Sequence, residues 1–374
     1  MSDQNSIGRN SYLTKNVGSF PESVEICGRK FVKVDDLRYG TNPHQPAGYY
    51  RPENTECPIA GMQILKTGKS GLSQTNLEDI SYALGIVRYF SKPACAVMKH
   101  VNPSGAAVRR GNQTLKEVYS RARDCDHRAA FGSVVAFNVK VDAATAEEIM
   151  GTFVECVVAP GFEDGALAIF NDSERFKLNK QIRIIKCGEI SRLPKFVGDE
   201  QELHYTLKVL ADGSIVVAAP LLTNLKSVAD IKPAQAENKT IGIVKSEIPA
   251  TDAQKEDLLT AWYINLNVRS NGVVIVRNGQ TLAVGTGEQD RVGAVEQAVW
   301  KYQHKYKGAE SIEGSVMASD GFFPFPDAVE VAANAGVKAI IAPPGSIKDA
   351  EVIKRANELG VSLVHAPERC FSHH

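Results

Sequence analysis

The sequence predicts an α/β protein with more than one core, its C-terminal part built on parallel strands. Three observations carry that prediction. Short apolar runs at 316–319, 339–342 and 362–365 alternate with helical stretches at 327–335 and 346–359, the order of parallel strands joined by crossover helices. A similar alternation of helical and strand-like segments occupies residues 76–158. The 374 residues also exceed one typical domain, enough chain for two cores.

The first thirty residues carry few periodic apolar positions and read as an extension. Apolar residues at 77, 80, 83, 84, 87 and 90 recur at helical spacing, so a helix over 76–90 leads into an apolar strand at 94–98. A helix follows at 115–125, then a strand at 132–137 that is rich in β-branched residues. Asp142 caps a helix running to Phe153, and the strand at 154–158 ends at Ala159-Pro160-Gly161. Residues 193–239 are less regular: Asp212-Gly213 reads as a hairpin turn before 215–218, and Pro233 and Asn238 mark a linker. Beyond it come a helix at 251–263 and a hairpin, 273–277 with 281–284, turning on Asn278-Gly279. A further helix starts near Arg291, with apolar residues at 292, 295, 299 and 302.

Charge is balanced, 43 basic against 43 acidic residues, so no global field draws the chain to nucleic acid or an anionic membrane. An anionic ligand has to be held by a few placed Arg and Lys side chains. No apolar run approaches the ~20 residues of a membrane span, and Met1–Ser19 lacks the apolar core of a signal peptide. A cytosolic protein is expected. Seven cysteines in no paired spacing argue against a disulfide framework, and no His-Glu-x-x-His or Cys-x-x-Cys points to a metal.

The candidate chemistry begins where the 94–98 strand stops at Lys99-His100 and runs into Val101-Asn102-Pro103-Ser104-Gly105, read as a turn. A cation and an imidazole at a strand end stand where open α/β sheets bind ligands, although a Lys-His pair alone is equally a solvated surface turn. Around it lie Leu37-Arg38-Tyr39-Gly40-Thr41-Asn42-Pro43-His44-Gln45, Arg269-Ser270-Asn271, Ser319-Asp320-Gly321-Phe322-Phe323-Pro324-Phe325-Pro326-Asp327 and a terminal Arg369-Cys370-Phe371-Ser372-His373-His374.

These motifs, in this order, closely resemble the transformylase portion of the bifunctional AICAR transformylase/IMP cyclohydrolase family, from about Leu37 to the C-terminus. Only thirty-odd residues precede the first motif, so the resemblance suggests a stand-alone transformylase without the cyclohydrolase domain. It implies two duplicated cytidine-deaminase-like three-layer α/β domains, 31–239 and 240–374, after an extension of 1–30. The deaminase zinc ligands, His-x-Glu with Pro-Cys-x-x-Cys, are missing, so the fold is expected without its metal. The implied reaction moves the formyl group of 10-formyltetrahydrofolate, a co-substrate, onto the 5-amino group of AICAR. A homodimer with sites at its interface is implied as well.

By that resemblance His100 is the base for the amine proton and Lys99 the electrostatic and proton-donating partner. Arg38, Tyr39 and Arg369 take the nucleotide phosphate, for which a guanidinium fork and a phenol are suited, and His373 matches the family's terminal histidine. Asn271 bonds the carboxamide and orients the histidine, and Phe131-Gly132 approaches the base. Asn76 falls near the nucleotide or caps a helix. On the folate side stand Phe322, Pro324 and Phe325 around the pterin, Asp327 on its polar edge (or capping the next helix), and Ser346 and Arg291 close by. One departure bears on that side: the family's glutamine in Gly-x-Gly-Gln-x-x-Arg is Glu288 here, an added charge that weakens folate binding or alters donor choice. It keeps open two other readings, an AICAR-type nucleotide-binding protein without catalysis and a formyltransferase using another donor.

Overall fold

The computed structural model describes residues 14–68, 71–199, 205–238 and 242–373. A small antiparallel sheet comes first: β1 (Ser23–Ile26), β2 (Arg29–Asp36) and β3 (Gly48–Pro52). Within the stretch read as an extension, residues 23–26 therefore pair with β2, and residues 1–13 lie outside the described residues.

The first half continues with β4 (Gln63–Lys66), α1 (Gln74–Val87), β5 (Ala94–Lys99), β6 (Asn102–Val108), α2 (Leu115–Arg123), α3 (His127–Ala130), β7 (Ser133–Phe137), α4 (Ala143–Met150), β8 (Val154–Ala159), α5 (Asp164–Asn171) and β9 (Arg183–Lys186). A separate hairpin, β10 (Thr206–Val209) with β11 (Ile215–Ala218), turns at Asp212-Gly213 as expected. β12 (Lys232–Pro233), β13 (Gln235–Asn238) and β14 (Gly242–Lys245) follow. The second half holds α6 (Asp252–Asn265), β15 (Val273–Arg277), β16 (Gln280–Gly285), α7 (Arg291–Lys305), β17 (Val316–Ser319), α8 (Asp327–Asn334), β18 (Ala339–Ala342), α9 (Asp349–Glu358) and β19 (Ser362–His365).

Twelve strands join in one mixed sheet, ordered β12-β19-β18-β17-β15-β16-β6-β5-β7-β8-β9-β4. β7, β8 and β9 run parallel, as do β17, β18 and β19. The halves meet where β16 lies against β6. In each half a helix precedes a hairpin, a second helix follows it, and three parallel strands alternate with helices. The two hairpins also share a close approach. A Cβ on Gly105 would stand 2.1 Å from the Ala122 carbonyl oxygen, and one on Gly285 2.1 Å from that of Ala294, so only glycine lets each strand meet its helix.

α1 and α6 cover one face of the sheet in a core shared by both halves. α2, α4 and α5 cover the opposite face of the first half, and α7, α8 and α9 that of the second. Among the described residues no helix is long and apolar enough to cross a membrane. All seven cysteines are free thiols, five of them buried.

Two sequence readings need correcting. Residues 102–105 are not a turn: they open β6, and the chain reverses at His100-Val101 instead. The supposed linker is paired structure, with Pro233 opposite Val364 on the sheet's outermost strand, where its missing N–H costs no ladder bond. The proposed boundary at 239/240 lies outside the described residues.

Candidate active site

The candidate residues gather along one edge of the sheet, where β5, β17, β18 and β19 end and β7, β8, β9 and β15 begin. Lys99 closes β5, and His100 and Val101 both take left-handed backbone, φ 55° and 54°. For a β-branched residue that conformation is costly, and tertiary bonds hold it. The Asp79 carboxylate on α1 accepts the Val101 N–H at 2.6 Å and the His100 N–H at 3.3 Å. Burial raises the Asp79 carboxyl above its ordinary value, and those two backbone bonds pull it back down. Lys99 Nζ donates to the Phe131 carbonyl at 2.6 Å, beside Gly132, whose φ of 77° suits only glycine. Phe131 itself is exposed.

Asn102 ties this turn to the second half. Its side chain donates to the His100 carbonyl (3.2 Å) and accepts from the Arg269 N–H (3.1 Å) and the Thr286 hydroxyl (2.7 Å). A cavity of about 140 Å³ opens here, bordered by Lys99, His100, Asn102, Asp126, Thr286 and Lys301. The Lys301 ammonium, lowered by burial and by neighbouring Lys305, donates to the Val284 carbonyl at 2.8 Å. Neither Asn102 nor Lys301 was singled out from sequence as a site residue. A larger cavity of about 980 Å³ lies between β3 and α1, around Tyr49, Cys57 and Leu77, and none of the predicted site residues lines it.

Toward β9 the edge becomes rich in guanidinium. Arg38 follows β2 and is pinned beside α1, its N–H donating to the Leu72 carbonyl while Gln74 N–H donates to that of Tyr39. Its side chain is buried, stacks on the Tyr39 ring at 4.5 Å and donates to the Tyr39 hydroxyl at 3.0 Å. Burial and the neighbouring Arg183 both lower the Arg38 guanidinium. Ser73 caps α1, and Asn76 is the third residue of that capping box, not the cap. The Asn76 amide also donates to Glu155 at 3.1 Å. Glu155 reaches this spot through a bulge: Ser133 pairs with Val154 and Val134 with Cys156, so Glu155 is the extra residue. Sequence reading missed both Glu155 and Arg183.

In the second half Asn271 is engaged on both sides of its amide, donating to the Glu288 carbonyl (2.9 Å) and accepting from Arg291 (2.7 Å). Arg291 is buried and ion-paired with the fully buried Asp320. The Glu288 carboxylate accepts from Gln297. Of the aromatic segment, Phe323 enters the core, Phe325 and Pro324 are exposed, and Phe322 packs over Gly345. Asp327 opens α8 without capping it, its carboxylate accepting the Ala328 N–H at 2.7 Å. The Ser346 hydroxyl meets the Pro324 carbonyl at 3.4 Å. Arg369 stacks on Phe371 at 4.3 Å, and the His373 carbonyl accepts from Lys208.

One expected grouping is not found within a single chain. Arg38 lies at the β8–β9 end, whereas Cys370, next to Arg369, hydrogen-bonds the Asp320 carbonyl just past β17. Seven strand steps separate β9 from β17, about 34 Å at ~4.8 Å per step.

Fold and site together define a mixed α/β protein whose strand ends collect an imidazole, an ammonium and buried guanidinium groups. Residues 8–301 match the family described as the AICARFT/IMPCHase bienzyme, and the chain belongs to it. The bifunctional purine biosynthesis protein PurH of Magnetococcus marinus is 39% identical over 364 residues, covering 95% of this chain and 62% of that protein. PurH of Oceanobacillus iheyensis is 35% identical over 97% of this chain and 64% of its own length, and that of Nostoc punctiforme 37% over 96% and 63%. The chain thus spans a little under two thirds of these relatives. Among solved structures, a dCMP deaminase from cyanophage S-TIM5 matches 31% of this chain and 99% of its own, at 24% identity and a TM-score of 0.23.

Proposed function

We propose that this chain is a phosphoribosylaminoimidazolecarboxamide formyltransferase, moving the formyl group of 10-formyltetrahydrofolate to AICAR to give FAICAR, the penultimate step of purine (IMP) biosynthesis. The observation that carries the reading is Lys99-His100, held at a strand end by the Asp79 clamp between the arginine cluster and the second-half loops. The AICAR amine is a weak nucleophile because its lone pair is delocalised. It attacks the formyl carbon, His100 takes the amine proton, and the Lys99 ammonium stabilises the tetrahedral oxyanion. Collapse breaks the bond to the folate nitrogen, which leaves with a proton from Lys99 or the imidazolium. Arg38 and Tyr39 hold the phosphate, Asn76 and Phe131-Gly132 flank the nucleotide, and Asn271 meets its carboxamide. Phe322, Pro324, Phe325, Asp327, Ser346 and Arg291 take the folate.

The repeated element order supports reading the fold as two duplicated deaminase-like units. The span between Arg38 and Arg369 supports a homodimer in which Arg369 completes the site of a second copy, whereas Ser372, beside His373, pairs with Arg269 near this chain's own Lys99-His100 turn. The test is product formation from AICAR and 10-formyltetrahydrofolate, read by mass spectrometry so that FAICAR and IMP are told apart. FAICAR made by the protein but not by His100→Ala supports the proposal; no turnover with AICAR still bound moves the reading to another formyl donor or to binding alone.

A further inference from the structure

Arg183 opens β9 and is 1% exposed, among the large side chains that are fully buried. Its Nε donates to the Gly71 carbonyl at 3.1 Å, while Nη1 and Nη2 have no hydrogen-bond acceptor among the described residues. The same holds for Nε and Nη1 of Arg38, itself 2% exposed. Four buried guanidinium nitrogens thus lack acceptors in one small region. The nearby carboxylate is Glu155, 3.7 Å from Arg183 Nη1 and already bonded by Asn76. The Cys156 thiol meets the Arg183 side chain only as a weak, neutral acceptor, pushed up to about 12 chiefly by burial, and brings no negative charge. The region is short of both acceptors and anionic charge, which burial makes costly to leave unmet.

We infer that Arg183 forms, with Arg38, a two-guanidinium pocket for a phosphate monoester, the phosphate of the nucleotide substrate. The identity of the nucleotide rests on the formyl-transfer reading above; the anion site rests on the geometry. A phosphate offers three acceptor oxygens and close to two negative charges, the complement of what the pocket lacks. β8 and β9 stand two and three strands from β5, about 10–14 Å along the edge at ~4.8 Å per step. That matches the reach of a nucleoside monophosphate from its phosphate to a base beside Lys99 and His100. Arg183 is a binding and specificity residue here, remote from the reacting atoms.

The test is calorimetric titration of wild type, Arg183→Met and Arg183→Lys with AICAR, with its nucleoside lacking the phosphate, and with inorganic phosphate. Removing a charge-assisted contact should weaken AICAR about 10- to 100-fold in Arg183→Met, with part recovered in Arg183→Lys and nucleoside affinity unchanged. Should the methionine variant fail to fold by circular dichroism, the lysine variant carries the comparison, since a point charge cannot reproduce the guanidinium fork. Undiminished AICAR binding, or equal weakening of nucleotide and nucleoside, overturns the inference. Wild type that binds phosphate through Arg183 but not AICAR upholds the anion site and overturns the formyl-transfer reading.

Discussion

Replacing Asp79 tests whether the Lys99-His100 turn is held from α1. The carboxylate accepts two backbone N–H groups, from His100 and Val101, both in left-handed backbone. Bonds to a charged acceptor contribute roughly 1.5–3 kcal/mol each, and left-handed backbone costs about 1–2 kcal/mol per residue. Against this stands the cost of burying the carboxylate, the main cause of its raised pKa. A net clamp of about 2 kcal/mol remains, so without it the competent turn would be populated about 30-fold less. Asp79→Ala should lower kcat for FAICAR formation roughly 10- to 30-fold and leave KM for AICAR within about threefold. Asp79→Asn keeps one neutral acceptor and should fall between. Because the folded carboxyl titrates above its unfolded value, its contribution to stability is fully present below the ordinary carboxylate range and is lost as pH rises through the folded pKa. Denaturant unfolding of Asp79→Asn should therefore gain on wild type as pH rises through that window. Wild-type kcat in Asp79→Ala would refute the clamp, and a pH-independent stability difference would refute the electrostatic argument.

Lys99→Ala and His100→Ala should each lose at least ~100-fold in turnover, measured by FAICAR formation at saturating substrates; rates near wild type would remove their proposed roles. Glu288→Gln should leave KM for 10-formyltetrahydrofolate within about threefold, because the carboxylate is occupied by Gln297 and a glutamine amide oxygen can accept the same bond. A tenfold change would mean that Glu288 meets the donor directly. Co-expressed Lys99→Ala and Arg369→Ala chains, each inactive alone, should recover about a quarter of wild-type activity if one site draws on two copies of a symmetric dimer. No recovery in verified mixed dimers would place Lys99 and Arg369 in the same chain's site.

The second half was the more legible because its signals are local. Asn278-Gly279 gives a hairpin directly, and the tail alternates strand and helix with short connections. What escaped the sequence depends on partners distant along the chain. β6 was read as a turn because Pro103 and Gly105 are turn residues, while the real reversal uses His100 and Val101, which local preference disfavours and Asp79 enforces. β1 and β9 are four-residue strands with charged members, too short for a period to stand out. Glu155 points at Arg183 only because a bulge inserts it, and no side-chain pattern announces a bulge. Arg183 at a strand start reads as a surface charge. A signal was present in retrospect: a basic residue opening the apolar Ile184-Ile185 pair has to find company once the strand is buried.

The chain's charge balance explains why the site takes this form. With 43 acidic residues against 43 basic ones, no long-range field concentrates an anionic ligand, so recognition of one has to come from cations at contact distance. A cation already matched by a carboxylate has little left to offer, and much of the protein's Arg and Lys is matched in that way, as in Arg110 with Glu256 and Asp257 or Arg123 with Asp124 and Glu148. Arg38 and Arg183 differ: they are buried, close enough to lower Arg38, and share Glu155. Such an arrangement weakens the protein locally, and if the proposed anion site is right, stability gained on binding should concentrate at this end of the edge. Arg291, by contrast, is paired with Asp320 and bonded to Asn271, so it orders the second-half loops and brings less unmatched charge to a ligand than Arg38 and Arg183 do. On the proposed reading, nucleotide affinity resides at the β8–β9 end and chemistry at the β5 turn, with the Arg291–Asp320 pair ordering the second-half loops.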